Sequence, residues 1–194
     1  MSWLERCDIS VVHGDLFDQK VDALVVPVEC SLTFAHVLGR QLLDRHGHEF
    51  RAAASEAGKR LFGDRVPLGG GFSIPVDGSE TSRWVVLVAW WDSENSYTQN
   101  LIERCISTAF RRAFETQSKS VALPLFGVNS SELKLHDLYA AIPKALREFD
   151  SLRQSDTFSV EDLRFVCRQP LVVDELRQVL QLHEIGSDGL TAEV

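Results

Sequence analysis

The chain has 194 residues, a length that fits one full-sized domain and argues against a second independent core. Hydrophobic residues make up 44% and charged residues 25%, proportions that argue against a disordered or membrane class. The formal net charge of −8 disfavours binding to a phosphate backbone, so we expect no nucleic-acid partner.

The four cysteines and the first residues bear on the compartment. Cys7, Cys30, Cys105 and Cys167 have no CxxC or metal-ligand spacing, so we expect reduced, mostly buried thiols. No apolar run is long enough to span a bilayer, and the start MSWLERCD lacks the regions of a secretory signal. These features predict a soluble, cytoplasmic protein with no membrane partner.

Residues 9–29 predict a strand, a turn and a second strand in a hairpin-like unit. Two short apolar runs, 9–12 and 23–28, are separated by turn residues. Asp15 stands just past the first strand, where ligands bind in α/β sheets. Its carboxylate can accept a hydrogen bond from an exocyclic amine such as adenine N6, and the Leu16 N–H can donate to a ring nitrogen. The alternative is a plain Asx-type turn, in which Asp15 bonds its own backbone.

Periodicity and glycine positions predict two helices after this unit. The first, capped by Ser31 or Thr33, is expected to end at Gly47 in a left-handed conformation. The second is expected over about 49–57 and is ended by Gly58. Strands are then expected near 71–75 and over 84–89, followed by a long amphipathic helix that starts at Asn95 or Ser96 and ends near Thr116.

Two residue groups along this stretch could mark a site. His36, His46 and His48 lack a nearby acidic or thiol set at a defined spacing, so no metal site is predicted. Trp90 and Trp91 follow the apolar strand run and could line a crevice. Because tryptophan is also a common core residue, we expect at least one of the two to lie in the core.

The remaining pattern predicts a strand, a helix, a strand and a helix, over 121–125, 137–149, 163–167 and 174–182. Pro143 predicts either a kink in the first of these helices or a later start. This order indicates an α/β fold: a three-layer α/β/α sandwich with a mixed, mainly parallel central sheet. We expect one domain over residues 1–185 and a disordered tail over 186–194.

Four stretches, taken in order, resemble those of macro domains. Residues 14–16 (GDL) and 21–25 (VDALV) resemble the opening turn and strand of the family. Residues 63–75 (GDRVPLGGGFSIP) resemble its glycine-containing strand entry, and 120–127 (SVALPLFG) resemble the strand that leads to its second ligand loop. The resemblance covers roughly residues 9–167 and rests on the order of these motifs.

The resemblance implies a site for ADP-ribose or a related phosphorylated nucleotide metabolite, without a cofactor. Asp15 and Leu16 would hold the adenine. The diphosphate would lie on the second loop, which consists of Gly127, Val128, Asn129, Ser130 and Ser131. Asn129 takes a glycine position there, and asparagine is the non-glycine residue that best tolerates a positive φ. A polar loop without a ligand is the alternative interpretation.

The loop before the first helix departs from the family. Macro domains have a glycine-rich loop there that contacts the distal ribose and the diphosphate, but no glycine lies between Cys30 and Val37. We expect the side chains of Leu32, Thr33 and Phe34 to limit how closely a ligand approaches this backbone.

Two further functions stay open, and with them whether the protein is an enzyme. In hydrolytic macro domains an Asn-Ala-Ala-Asn run touches the distal ribose, whereas residues 26–29 here are Val-Pro-Val-Glu. Glu29 could act as the general base of an ADP-ribosyl hydrolase, or it could be a plain solvated or helix-capping residue. Alternatively, a degenerate pocket is retained in a scaffold that binds a protein partner.

Overall fold

The fold is built on one six-stranded mixed sheet. The computed structural model describes residues 2–92, 98–129, 133–152 and 159–185. Its strands are β1 (Asp8–His13), β2 (Ala23–Glu29), β3 (Gly71–Pro75), β4 (Trp84–Trp91), β5 (Ser120–Pro124) and β6 (Asp162–Cys167). They lie in the order β1-β6-β5-β2-β4-β3, and every neighbouring pair is parallel except the antiparallel pair of β3 and β4. The predicted mixed, mainly parallel sheet is confirmed.

Helices cover both faces of this sheet. The four α-helices of the described ranges are α1 (Val37–Phe62), α2 (Gln99–Glu115), α3 (Leu135–Leu152) and α4 (Pro170–Leu182), and a short 3-10 helix spans Leu16–Asp18. One apolar cluster joins the sheet to α2, α3 and α4, and a second joins it to α1. Because β2 contributes to both clusters, its sequence is a continuous apolar run, as is usual for a strand that is buried on two sides. The predicted three-layer α/β/α sandwich is confirmed.

The two opening strands do not form the predicted hairpin-like unit. β1 pairs with β6, whereas β2 lies between β5 and β4. The expectation fails because the start of β2 is held elsewhere: the Asp22 carboxylate accepts hydrogen bonds from the Lys119 and Ser120 N–H groups, at 2.8 and 3.2 Å. Val21 N–H also donates to the Thr81 carbonyl, at 2.8 Å. These contacts fix β2 beside its true neighbours.

The first helical region matches the prediction at one glycine and differs at another. Two helical segments of α1 meet at Gly47, which has φ 73° and confirms the expected end of the first segment. The second segment does not end at Gly58 but continues to Phe62. Gly58 is a packing residue and not a helix cap: Leu32 fills the space beside it, where a Cβ would lie 2.5 Å from Leu32 Cδ1. His36, rather than Ser31 or Thr33, precedes the first helical residue.

Later helix boundaries also differ from the sequence prediction. α3 begins at Leu135, earlier rather than later than expected, and continues through Pro143. α4 begins at Pro170, which suits proline because the first helical N–H has no partner within the helix. The expected start of α2 at Asn95 or Ser96 is wrong, because the helix begins at Gln99 and the capping residue Thr98 has an extended backbone. Residues 95 and 96 themselves, and the expected tail over 186–194, lie outside the described residues.

Within the described ranges, none of the helices combines the length and the apolar composition that crossing a bilayer requires.

Candidate ligand-binding site

An open cleft of about 530 Å³ lies where the parallel strands end. It is lined by residues at or just after the carboxyl ends of five strands: Gly14 and Leu16 after β1, Pro27 and Val28 in β2, Trp90 and Trp91 in β4, Pro124 to Asn129 from β5 onward, and Val166 to Gln169 from β6 onward. Its volume is in the range of small-molecule sites. The position is the one at which α/β sheets bind ligands, as the placement of Asp15 predicted.

The cleft is long and mostly apolar. It reaches from β1 across β6, β5 and β2 to β4, which is four strand spacings or about 19 Å. Among the described residues that line it there is no aspartate or glutamate, and Arg168 carries the one permanent charge. Because the Arg168 guanidinium pairs with the Asp15 carboxylate beside the cleft, the lining has little net charge and favours a ligand with apolar or aromatic parts.

Asp15 has a structural role at the β1 end of the cleft. Its Oδ1 accepts a hydrogen bond from the Phe17 N–H at 2.9 Å and caps the 3-10 helix, as the Asx-type interpretation predicted. Its Oδ2 accepts one from the Arg168 guanidinium. Burial alone would raise the pKa of Asp15, but these hydrogen bonds and the charges of Arg168 and Arg45 lower it overall. The carboxylate itself does not line the cleft, although Gly14 and Leu16 on either side of it do.

Arg168 was not among the predicted site residues, although its position in the sequence carried a signal. Arg168 directly follows the predicted last strand, so it lies at the same sheet edge as Asp15. Its side chain is 55% exposed, lines the cleft and pairs with Asp15. A charged residue immediately after a buried strand of a parallel sheet was therefore sufficient to identify it.

The second loop reaches the cleft through three of its five predicted residues. Gly127, Val128 and Asn129 line it, whereas Ser130 and Ser131 lie outside the described residues. Gly127 has φ 86°, and a Cβ there would lie 2.7 Å from Leu133 Cδ1, so glycine is required. Asn129 is not among the described residues with a positive φ, contrary to the expectation. Its Oδ1 instead accepts a hydrogen bond from Gln169 Nε2 at 2.8 Å.

The loop between β2 and α1, residues 30–36, is called the first loop. Although it has no glycine, its side chains do not block the cleft. Leu32 and Phe34 adopt left-handed φ values of 53° and 57°, and both side chains are buried in the apolar cluster under α1. Neither they nor Thr33 line the cleft, so the expected limit on ligand approach from these three side chains is wrong. His36 and Val37 line this part of the cleft instead.

Glu29 lies behind the cleft wall. The residue is 1% exposed and is not among the described residues that line the cleft. Its Oε1 accepts a hydrogen bond from the His36 N–H at 2.8 Å and lies 3.7 Å from His36 Nε2. Its buried Oε2 has no hydrogen-bond partner among the described residues. Any influence of Glu29 on a ligand would therefore pass through His36.

Both tryptophans of β4 line the cleft. Neither is fully buried, and Trp90 also packs against the core cluster under α2 and α3, next to the Phe126 ring at 5.6 Å. Trp91 meets the His36 ring edge to face, with ring centres 5.1 Å apart. The histidines do not form a metal site: within the described ranges there is no group of three or more His, Cys, Asp or Glu side chains that could hold an ion.

Comparisons with solved structures identify the fold. A macrodomain of Oceanobacillus iheyensis, a variant solved with ADPR, superposes with a TM-score of 0.77 over 94% of this chain and 97% of that chain, at 16% identity. The Mycobacterium tuberculosis DarG macrodomain superposes with a TM-score of 0.64 over 82% of this chain and 97% of that chain, at 20% identity. A Trypanosoma brucei macrodomain in complex with ADP superposes with a TM-score of 0.69 over 89% of this chain and 69% of that chain, at 13% identity.

The chain therefore has the macrodomain fold. Its sequence matches no protein-family model and no curated protein. The fold agrees with the resemblance of the four sequence stretches, which came from motif order alone.

Proposed function

We propose that the chain binds ADP-ribose or a closely related phosphorylated nucleotide in the cleft at the strand ends. The observation that carries the proposal is an open cleft about 19 Å long on a macrodomain fold. A nucleoside joined through a diphosphate to a second sugar is long enough to follow such a cleft, whereas a mononucleotide reaches only one end. In support, similar structures are described with ADPR and with ADP.

The base is proposed to lie at the β1 end. Leu16 is the first residue of the 3-10 helix, so its N–H has no acceptor within that helix and can donate to a ring nitrogen. Asp15 lies between the lining residues Gly14 and Leu16, so we expect the base to reach its carboxylate from beside the cleft. That carboxylate retains lone pairs beyond those used by Phe17 and Arg168, because an ionised carboxylate accepts about four hydrogen bonds. Arg168 adds donors and positive charge beside them.

The diphosphate is proposed to lie over the second loop, Gly127 to Ser131. Gly127 lines the cleft, and successive backbone N–H groups in turns bind phosphate oxygens without any basic residue. The hydrogen bond between Gln169 and Asn129 holds this loop against the segment after β6. The loop and the base end of the cleft are thereby linked.

The two alternative functions are not favoured. The hydrolase proposal required Glu29 near the scissile bond, but its side chain is buried behind His36 and does not line the cleft. The scaffold proposal required a closed or degenerate pocket, but the first loop leaves the cleft open. Three points stay predictions: a cytoplasmic location, the lack of a nucleic-acid or membrane partner, and the binding of a protein partner. The four cysteines form no disulfide, which suits a reducing compartment.

Isothermal titration calorimetry with ADP-ribose tests the proposal. Asp15→Asn tests the role of the carboxylate directly, because asparagine can still cap the 3-10 helix but has no carboxylate. We expect micromolar or tighter binding to the wild type and a loss of about tenfold to a hundredfold in Asp15→Asn, the value of a charge-assisted hydrogen bond. Asp18→Asn, in the same short helix and 73% exposed, is the matched control and is expected to bind as the wild type does. No binding to the wild type, or equal binding to Asp15→Asn, contradicts the proposal.

A further inference from the structure

The two ends of the cleft differ in chemistry. The β1 end has the polar pair of Asp15 and Arg168, whereas the β4 end is built from aromatic rings. Trp90 packs against the core cluster under α2 and α3, whereas Trp91 meets the His36 ring from the loop before α1. Both side chains line the cleft.

Each tryptophan is fixed by one of the two loops. A Cβ built on Gly127 would lie 3.2 Å from the Trp90 indole, so the second loop rests directly on that ring. Trp91 is held by the His36 ring from the first loop, at 5.1 Å. Rigid aromatic walls that are already packed lose little conformational entropy when a planar group enters between them.

A buried carboxyl group stands behind the same end of the cleft. Glu29 Oε1 lies 3.7 Å from His36 Nε2, and Glu29 Oε2 has no hydrogen-bond partner among the described residues. The electron-rich face of an indole ring attracts a positively charged planar group. The Glu29 oxygens behind His36 add hydrogen-bond acceptors and no positive charge to this end of the cleft.

We propose that the β4 end takes a second, positively charged planar ring, so that the preferred ligand is a dinucleotide with a pyridinium ring rather than free ADP-ribose. This inference rests on the proposed function, because it assumes that the adenine lies at the β1 end. The distal ribose then places its substituent near Trp91 and His36. A ring joined to that ribose stacks on the indole and faces the side on which Glu29 lies.

Calorimetric titrations with NAD⁺, NADH and ADP-ribose at pH 8 test the inference, since histidine side chains are generally neutral at that pH. NAD⁺ is ADP-ribose with a cationic, aromatic nicotinamide on the distal ribose, and NADH has an uncharged, reduced dihydropyridine ring at the same position. We expect NAD⁺ to bind about tenfold more tightly than ADP-ribose, with NADH in between. In Trp91→Leu the ratio of the NAD⁺ and ADP-ribose affinities is expected to fall to about one, whereas Trp91→Phe is expected to restore part of it.

The control is Trp84→Leu, a tryptophan at the opposite end of β4 that does not line the cleft, which is expected to keep the tenfold ratio. If ADP-ribose binds but NAD⁺ binds no more tightly, or NADH binds as tightly as NAD⁺, the inference is overturned and the proposed function stands. If none of the three binds, both are overturned. Should Trp91→Leu fail to fold, the wild-type order of the three ligands decides the question.

Discussion

The two loops that border the cleft reach a left-handed backbone by different routes. The loop after β5 uses Gly127, with φ 86°, whereas the loop after β2 uses Leu32 and Phe34, with φ 53° and 57°. Glycine is needed after β5 because Trp90 and Leu133 leave no space for a Cβ. After β2 the side chains point into the core instead, so the residues there can be large.

The difference shows how a strained backbone can be maintained. A left-handed conformation costs a non-glycine residue about 1–2 kcal/mol, whereas burying a leucine or phenylalanine side chain contributes about 1.5–3 kcal/mol. Leu32 and Phe34 are 9% and 1% exposed, so burial outweighs the strain. A loop without glycine can therefore hold the shape that a glycine-rich loop has, provided that its side chains are anchored in the core.

Phe34→Ala should have the largest effect, because it removes the anchor and keeps the strain. We expect a loss of about 3–5 kcal/mol in the free energy of unfolding, measured by urea denaturation. Phe34→Gly removes the same side chain but relieves the positive φ, and it should be about 1 kcal/mol more stable than Phe34→Ala. Equal stability of the two variants, or greater stability of the alanine variant, would show that the backbone at Phe34 is not strained.

Gly127→Ala should come next, because it adds both strain and a steric overlap. We expect a loss of about 2–4 kcal/mol, composed of the positive φ and the contacts with Leu133 and Trp90. Gly78→Ala is the matched control: Gly78 has φ 72° and no atom within 4 Å of the added Cβ, so only the strain of about 1 kcal/mol remains. Thermal and urea unfolding of both variants measures the difference, and equal losses would be evidence against the overlap.

Glu29 provides a polar anchor for the first loop, and its truncation should have an intermediate effect. In Glu29→Ala the His36 N–H loses its acceptor, and we expect a loss of about 1–3 kcal/mol. Glu29→Gln keeps an amide oxygen in the place of Oε1 and should be closer to the wild type in stability. Urea denaturation of the pair isolates the hydrogen bond. A glutamine variant as unstable as the alanine variant would show that an amide oxygen does not replace the acceptor of the His36 N–H.

The turn at Asp15 gives the smallest effect, and it depends on pH. Because the folded-state pKa of Asp15 lies below its ordinary value of about 3.9, its contribution to stability is present above that value and is lost as the pH falls through the folded pKa. Asp15→Asn should therefore be less stable than the wild type at pH 7 by about 1 kcal/mol or less, and the difference should shrink below about pH 4. Urea unfolding at pH 7 and pH 3.5 measures it. If the stability difference between the two proteins grew on acidification, the pKa of Asp15 would be raised by folding and not lowered.

Much of the fold could be predicted because it is encoded locally. The apolar runs located the strands, and Gly47 marked the junction within α1. The position of Asp15 just past a strand indicated the sheet edge at which the cleft lies. These features depend on neighbours in sequence, which periodicity and turn chemistry describe.

What could not be predicted depends on residues that are distant in sequence. The pairing of β1 with β6, and not with β2, follows from contacts such as those of Asp22 with Lys119. The inward direction of Leu32 required the space beside Gly58 on α1. The ion pair of Arg168 with Asp15 joins residues 153 positions apart. Propensity for a left-handed turn would never have selected Leu32 or Phe34.

The pairing of the first strand also has a consequence for the order of folding. β1 lies at the edge of the sheet and pairs only with β6 among the described strands, with Asp8 opposite Asp162 and His13 opposite Cys167. During synthesis β1 therefore has no strand to pair with until β6, about 150 residues later in the sequence, has been made. Contacts at such separation form slowly, because the intervening loop must close first. The β1 end of the cleft therefore cannot form before β6 has been synthesised, whereas β2, β4 and β5 can pair earlier.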